Sequence, residues 1–144
     1  MIEAQLVTFR LGAREYATPL DAVREVVRLQ GLADLPGMAP PLAGVLDLRG
    51  MALPVLDLRS GHVDDRGDVL VLESGGSVDG TAVGVAVDQV RAVVGAAEIP
   101  AAGAAHEDGV LPSYVVKVLR GRTGPVFLVD LPAMVAAVRA AAIG

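Results

Sequence analysis

The side chains able to do acid–base or metal chemistry in this chain are few, and most sit in one stretch. In LDLRSGHVDD, His62 lies close to Asp57, Asp64 and Asp65. An imidazole among carboxylates is a donor set for a divalent metal, or for a general acid and base. The spacing argues against both. The other histidine, His106, belongs to a separate segment, and no H-x-x-x-H puts two imidazoles on one helix face. Asp64-Asp65 reads more simply as a solvated turn. Ser60, Ser74, Ser77 and Ser113 fall in turn-like stretches with no G-x-S-x-G elbow and no placed base. Gly75-Gly76 and Gly80 read as a hairpin loop, because neither a P-loop nor a G-x-G-x-x-G pattern follows a strand. The absence of cysteine removes thiolate chemistry, disulfides and Cys-based metal sites. No catalytic set and no cofactor motif emerge. A metal-dependent enzyme built on the His62/Asp64/Asp65 loop is the remaining enzymatic alternative.

Composition narrows the partners. The net charge is −5 and no basic cluster exists, so nucleic acid is a poor partner. Met1-Ile2-Glu3 opens with neither a basic nor an apolar leader region, so no secretory signal is read. No apolar run reaches the roughly 18 residues that span a bilayer. A cytoplasmic, non-membrane protein is expected. Apolar residues make up 53% of the chain, yet it has only two Phe, two Tyr and no Trp, so its core must be built of Val, Leu and Ala.

The positioning framework shows itself as a repeat. D-x-V-R-x-V-V occurs as DAVREVV from Asp21 and as DQVRAVV from Asp88. L-R-G-x-x-x-P-V occurs from Leu48 and again from Leu119. Both pairs are about 70 residues apart, half the chain length. This is an internal duplication, not a solenoid, which needs three or more short repeats. The halves are expected as lobes of about 5–60 and 67–131, joined near Ser60–Gly67.

Within each half, period-two alternation marks short strands. Val7, Phe9 and Leu11 share one face, and Glu15–Pro19 returns after a turn at Gly12. Glu25–Leu29, Val45–Arg49 and Leu53–Leu58 follow, with Pro54 expected at a strand start or edge. The second half offers Val69–Glu73, Thr81–Asp88, Arg91–Ala96, Tyr114–Arg120 and Pro125–Leu131. In Thr81–Asp88, Val83, Val85 and Val87 share a face. About five short strands per half indicate an all-β protein of two similar small barrels. Helical turns are expected at Pro41–Ala43 and within 97–113, otherwise the least structured stretch. Leu131, Met134, Val135 and Val138 form a helical stripe, so 131–142 is read as a C-terminal helix. Asp130 suits its N-cap and Pro132 its first turn.

Several of these stretches together resemble the CheW family, the coupling proteins of bacterial chemotaxis. VTFRLGAREYATPLDAVREVVR and LPGMAPPLAGVLDLRGMALPVLDLR resemble the family's first half; AVGVAVDQVRAVV and GPVFLVDLPAMV resemble its second. The resemblance runs from about Gln5 to Val138. It implies two five-stranded, SH3-like barrels and a non-enzymatic adaptor. Such proteins join the cytoplasmic tip of a chemoreceptor, held in an apolar groove between barrels, to the regulatory domain of the histidine kinase CheA, met at the barrel ends. Weak self-association is also expected, since ring contacts of this kind are small. Two positions depart from the family pattern: Asp47 stands where Asn is usual, and Lys117 where Gly is usual.

The resemblance also implies site residues. The acid of V-R-E and the arginine of L-R-G, here Glu25 and Arg49, matter to receptor coupling in the family. The expectation is a partly exposed ion pair at the receptor groove, setting orientation and partner choice more than stability. Two unrelated surface charges are the simpler reading. Val23, Val26, Gly44, Val90 and Val93 are the candidates for the groove, since a docked helix needs an apolar strip. Burial in the core is the plain alternative for each valine, and a turn for Gly44.

Overall fold

In a strand, successive side chains point to opposite faces, so a strand between two cores must be apolar on both. That rule organises this chain. The computed structural model describes residues 4–59, 66–73, 82–103 and 111–143. Its strands are β1 (Gln5–Leu11), β2 (Arg14–Pro19), β3 (Glu25–Arg28), β4 (Leu42–Leu48), β5 (Met51–Asp57), β6 (Asp68–Glu73), β7 (Ala82–Val87), β8 (Gln89–Gly95), β9 (Ala101–Gly103), β10 (Val115–Arg120) and β11 (Pro125–Val129). Short 3-10 turns occupy Leu20–Ala22 and Ala96–Glu98, and helix α1 spans Leu131–Ile143.

The strands form two sheets, ordered β3-β6-β7-β5-β4 and β8-β1-β2-β11-β10-β9. Apart from the extra β9, the two orders correspond strand for strand, which is the duplication read in the sequence. The sheets nevertheless cut across the expected halves of 5–60 and 67–131. The β1–β2 hairpin joins β8, β10 and β11, while the β6–β7 hairpin joins β3, β4 and β5. Each half lends its first hairpin to the other. Parallel pairings hold both exchanges, Val55 beside Gly84 and Phe127 beside Tyr16. Among the described residues no ladder joins the outer strands of either sheet, so each is an open barrel.

Three cores follow. Leu29, Leu46, Leu48, Leu53, Val55 and Val69 fill the interior of the first sheet. Leu6, Ala17, Leu119 and Val126 fill that of the second. The largest core lies between the sheets and draws on both: Val7 and Phe9 of β1, Leu70 and Leu72 of β6, Val83, Val85 and Val87 of β7, and Leu131, Met134 and Val135 of α1. The expected valine face of β7 therefore meets the shared core. Its other face is not solvated: Ala82, Gly84 and Ala86 line the interior of the first barrel, and all six residues are buried. Phe9, Tyr16 and Phe127 stack in a row across β1, β2 and β11, with centroids 5.6 and 5.8 Å apart. Burial raises the Tyr16 hydroxyl pKa.

The helix begins as its sequence indicates. Asp130 accepts from the Ala133 amide at 3.1 Å, Pro132 lies in the first turn, and Leu131, Met134 and Val135 seal the shared core.

Other local expectations change. No helical turn forms at Pro41–Ala43; Leu42 and Ala43 already belong to β4, where Leu42 pairs with Leu56. Arg49 is not a strand residue. With φ of 51° and 86°, Arg49 and Gly50 make the two-residue turn between β4 and β5, and the Asp47 carboxylate accepts the Gly50 amide at 2.8 Å. Pro54 lies inside β5, which is not an edge strand. It is accommodated because its partner Val45 turns both backbone groups away, to Ala33. The ladder to β7 begins only at Val55. The two L-R-G motifs also differ in register: Pro54 opposes Val45, whereas Pro125 opposes Arg120. The β4–β5 hairpin consequently reaches farther past its sheet. His62, Asp64, Asp65, His106 and the Ser74–Gly80 turn lie outside the described residues.

A Cβ on Gly84 would stand 2.7 Å from Val69 Cγ1 and 3.1 Å from Leu53 Cδ2. Gly84→Val should overfill the first barrel and lower stability by about 1–3 kcal/mol, read as a lower urea midpoint at unchanged slope.

Candidate functional site

The repeated D-x-V-R-x-V-V motif forms corresponding edge strands, β3 on one sheet and β8 on the other. Its first two valines, Val23 and Val26 or Val90 and Val93, are three residues apart, which plain alternation would send to opposite faces. An extra residue resolves this in both copies. In β8 the register shifts between Thr8 and Phe9, leaving Arg91 between the pairs Phe9–Val90 and Thr8–Ala92. Before β3, the Arg24 amide donates to the Val71 carbonyl while Glu25 is the ladder partner of Val71.

The result is an apolar strip bordering the shared core. Val26 pairs with Leu70, and Val93 with Val7, both core residues. Val26 and Val93 are 43% and 53% exposed. Val23 and Val90 are half-buried against the same core. The expected groove valines thus divide into two that pack and two that face solvent. Gly44 is not with them. It is buried in β4, where a Cβ would come within 2.5 Å of the Ala33 carbonyl. Its place is a close backbone crossing.

Glu25 and Arg49 do form the expected pair. Arg49 Nη1 donates to Glu25 Oε1 at 2.9 Å, and Nη2 to Oε2 at 2.5 Å. The Arg49 side chain is 65% exposed and that of Glu25 26%. The turn at Arg49–Gly50 aims the guanidinium, and the long hairpin carries it across the open side of the first barrel to the opposite edge strand. A two-pronged side-chain link therefore spans edges that no ladder joins. Glu25 shares its face with Val71, inside that barrel, whereas Val26 faces the shared core. The ion pair and the valine strip lie on opposite faces of β3. The second copy has Ala92 in place of Glu25, so the link belongs to the first barrel alone.

Ion pairs that escaped sequence reasoning include those of Arg59 and Arg91. Arg59, with its side chain 2% exposed, donates Nε and Nη2 to the Asp57 carboxylate at 2.9 Å, and Nη1 to the Arg66 carbonyl. The D-x-R spacing at the end of β5 was the available signal. Arg91, the extra residue of β8, reaches Glu15 at 3.2 Å. The conserved spacing of the two repeat aspartates has a partial explanation: Asp88 accepts the Gly12 amide at 2.7 Å and fastens the β1–β2 turn. Among the described residues no group of three or more His, Asp or Glu gathers as metal ligands, and no helix is long and apolar enough to cross a membrane.

Hydrogen bonding from Arg49 lowers the Glu25 pKa, and the pair correspondingly raises that of Arg49. A carboxylate depressed on folding contributes fully above its ordinary range and loses that contribution as pH falls through the lowered value. A carbon-detected titration should place the Glu25 midpoint below that of an unpaired glutamate. Arg49→Ala should return it to the ordinary value. An ordinary midpoint in the unaltered protein would mean that the pair is not held in solution.

Comparison with known proteins agrees with this architecture. The CheW-like domain matches residues 5–139. The chemotaxis protein CheW of Treponema pallidum is 24% identical over 138 residues, covering 88% of this chain and 79% of that protein. CheW of Bacillus subtilis is 34% identical over 55 residues, and Protein PilI of Pseudomonas aeruginosa 36% over 52 residues. These two matches span only 35% and 29% of the relatives' lengths. The crystal structure of the scaffolding protein TtCheW from Thermoanaerobacter tengcongensis superposes with a TM-score of 0.68 at 21% identity, covering 91% of this chain and 86% of that one. With its two hairpin-exchanged barrels and a match along nearly its whole length, the chain belongs to the CheW-like domain family.

Proposed function

We propose that this protein is a non-enzymatic adaptor in the cytoplasm, joining chemoreceptor cytoplasmic tips to the regulatory domain of a CheA-type histidine kinase. The observation that carries this reading is the exposure of Val26 and Val93, each on the side of the shared core. Val26 and Val93 are exposed apolar side chains from two different sheets, seated over one packed core. A rigid, apolar strip suits a helix that lays one face into a groove. A receptor tip offers such a helix. Glu25 and Arg49 stand across β3 from the strip, where a charged pair would select orientation and partner more than add affinity. The kinase would be met at the outer barrel ends, leaving the strip free. Membership in the CheW-like family and the likeness to a scaffolding protein support the same role.

A second reading keeps the adaptor and changes its pathway. The same domain could serve a receptor–kinase system other than chemotaxis, such as one for surface motility. Both readings place the receptor on the same strip.

The test is a titration of isotope-labelled protein with a receptor-tip fragment and, separately, with the kinase regulatory domain. Tip-induced shifts should centre on Val23, Val26, Val90 and Val93, and kinase-induced shifts on a barrel end. Val93→Asp should weaken tip binding at least tenfold, about 1.4 kcal/mol, and leave kinase binding unchanged. Arg49→Ala should also weaken the tip. Tip affinity indifferent to Val93→Asp would contradict the strip as the docking site.

A further inference from the structure

A cleft of about 270 Å³ opens at the second barrel, lined by residues of β1, the 96–101 segment, β10 and β11. Its walls include Leu6, Ile99, Pro100, Leu119 and Leu128. Leu6 and Leu119 are only 5% and 4% exposed, and belong to the barrel's interior cluster, so the cleft enters the core of this lobe. Among the described residues Lys117 is the one charged residue in the lining. It is exposed, and among the described residues it makes no hydrogen bond or ion pair. Among the described residues no acidic side chain lines the cleft with it.

An apolar recess with one unpaired ammonium at its edge complements an apolar body carrying one negative charge. The tail gains by leaving water against leucine and isoleucine, and the anion gains a charge-assisted hydrogen bond. The size is adequate, since a cavity of about 150 Å³ already holds benzene. A phosphate or a polar anion would leave the apolar walls unused, and a neutral hydrocarbon would leave Lys117 unused.

We propose that this cleft binds a small amphipathic carboxylate, with its alkyl chain against Leu6, Ile99, Leu119 and Leu128 and its carboxylate on the Lys117 ammonium. Such a ligand packs against β1, the 96–101 segment, β10 and β11 together and stabilises that lobe by mass action. The site is separate from the valine strip and stands independently of the adaptor reading.

Full-length labelled protein titrated with hexanoate, hexanol and hexylamine tests the proposal. Hexanoate should shift the Leu6, Ile99 and Leu119 amides and bind roughly tenfold tighter than hexanol, the worth of one charge-assisted hydrogen bond. Lys117→Met should leave hexanol binding unchanged and erase the preference for hexanoate. Lys117→Glu should favour hexylamine instead. Lys117 is exposed, so both variants should keep the native spectrum elsewhere. Four results would overturn the proposal: no binding of hexanoate, equal binding of hexanoate and hexanol by the unaltered chain, a hexanoate preference that survives Lys117→Met, or shifts confined to other surfaces.

Discussion

The exchange of first hairpins between the two halves is the constraint on which the rest of the molecule depends. Because β6–β7 sits inside the first sheet and β1–β2 inside the second, neither sheet is made from one contiguous half. The exchanged strands face a barrel interior on one side and the shared core on the other. This accounts for β6 and β7, buried on both faces, and for the small residues Ala82, Gly84 and Ala86 opposite Val83, Val85 and Val87. Helix α1 then closes the shared core. The two barrels are thereby a single packing problem, and their relative placement is fixed by side-chain packing instead of by a linker.

That fixity bears on the proposed role. An adaptor that holds two partners at once needs a set distance between its contact surfaces. The valine strip draws from edge strands of both sheets, so it keeps its shape only while the shared core keeps the sheets in place. Preorganisation of this kind lowers the cost of docking a helix. The Glu25–Arg49 pair acts at a smaller scale. It links the tip of the β4–β5 hairpin to β3, and it holds both charges in one orientation at the surface.

Much of this was legible in the sequence, for identifiable reasons. Strand periodicity located most elements, the duplication exposed the paired architecture, and the Asp130–Pro132 signal marked the helix start. A Glu25–Arg49 ion pair at the groove was expected; the two side chains do pair, but across β3 from the exposed valines instead of beside them. The hairpin exchange was not legible, because alternation along a strand says which faces are apolar and nothing about which strand lies alongside. The register of the second L-R-G hairpin was hidden for a related reason: Leu119-Arg120-Gly121 matches Leu48-Arg49-Gly50 in letters, but Gly121 and Gly124 close a different turn. Alternation alone would have divided the motif valines between faces. The extra residue in each edge strand, Arg91 in β8, joins them on one. Arg59 was overlooked because a charged residue in a short junction reads as solvated, whereas here Asp57 and the Arg66 carbonyl satisfy it under cover.

The most direct measurement is on the two halves made as separate chains, 1–63 and 64–144, examined by amide spectra alone and mixed. If each half completes the other's sheet, neither chain alone should give a dispersed spectrum, and an equimolar mixture should recover that of the intact protein. The alternative is that β1–β2 folds back into its own half, as its correspondence with β6–β7 would permit, in spite of losing the Tyr16 contact with Phe127. A well-dispersed spectrum from either half alone would contradict the exchanged, single-core architecture and the rigid strip that rests on it.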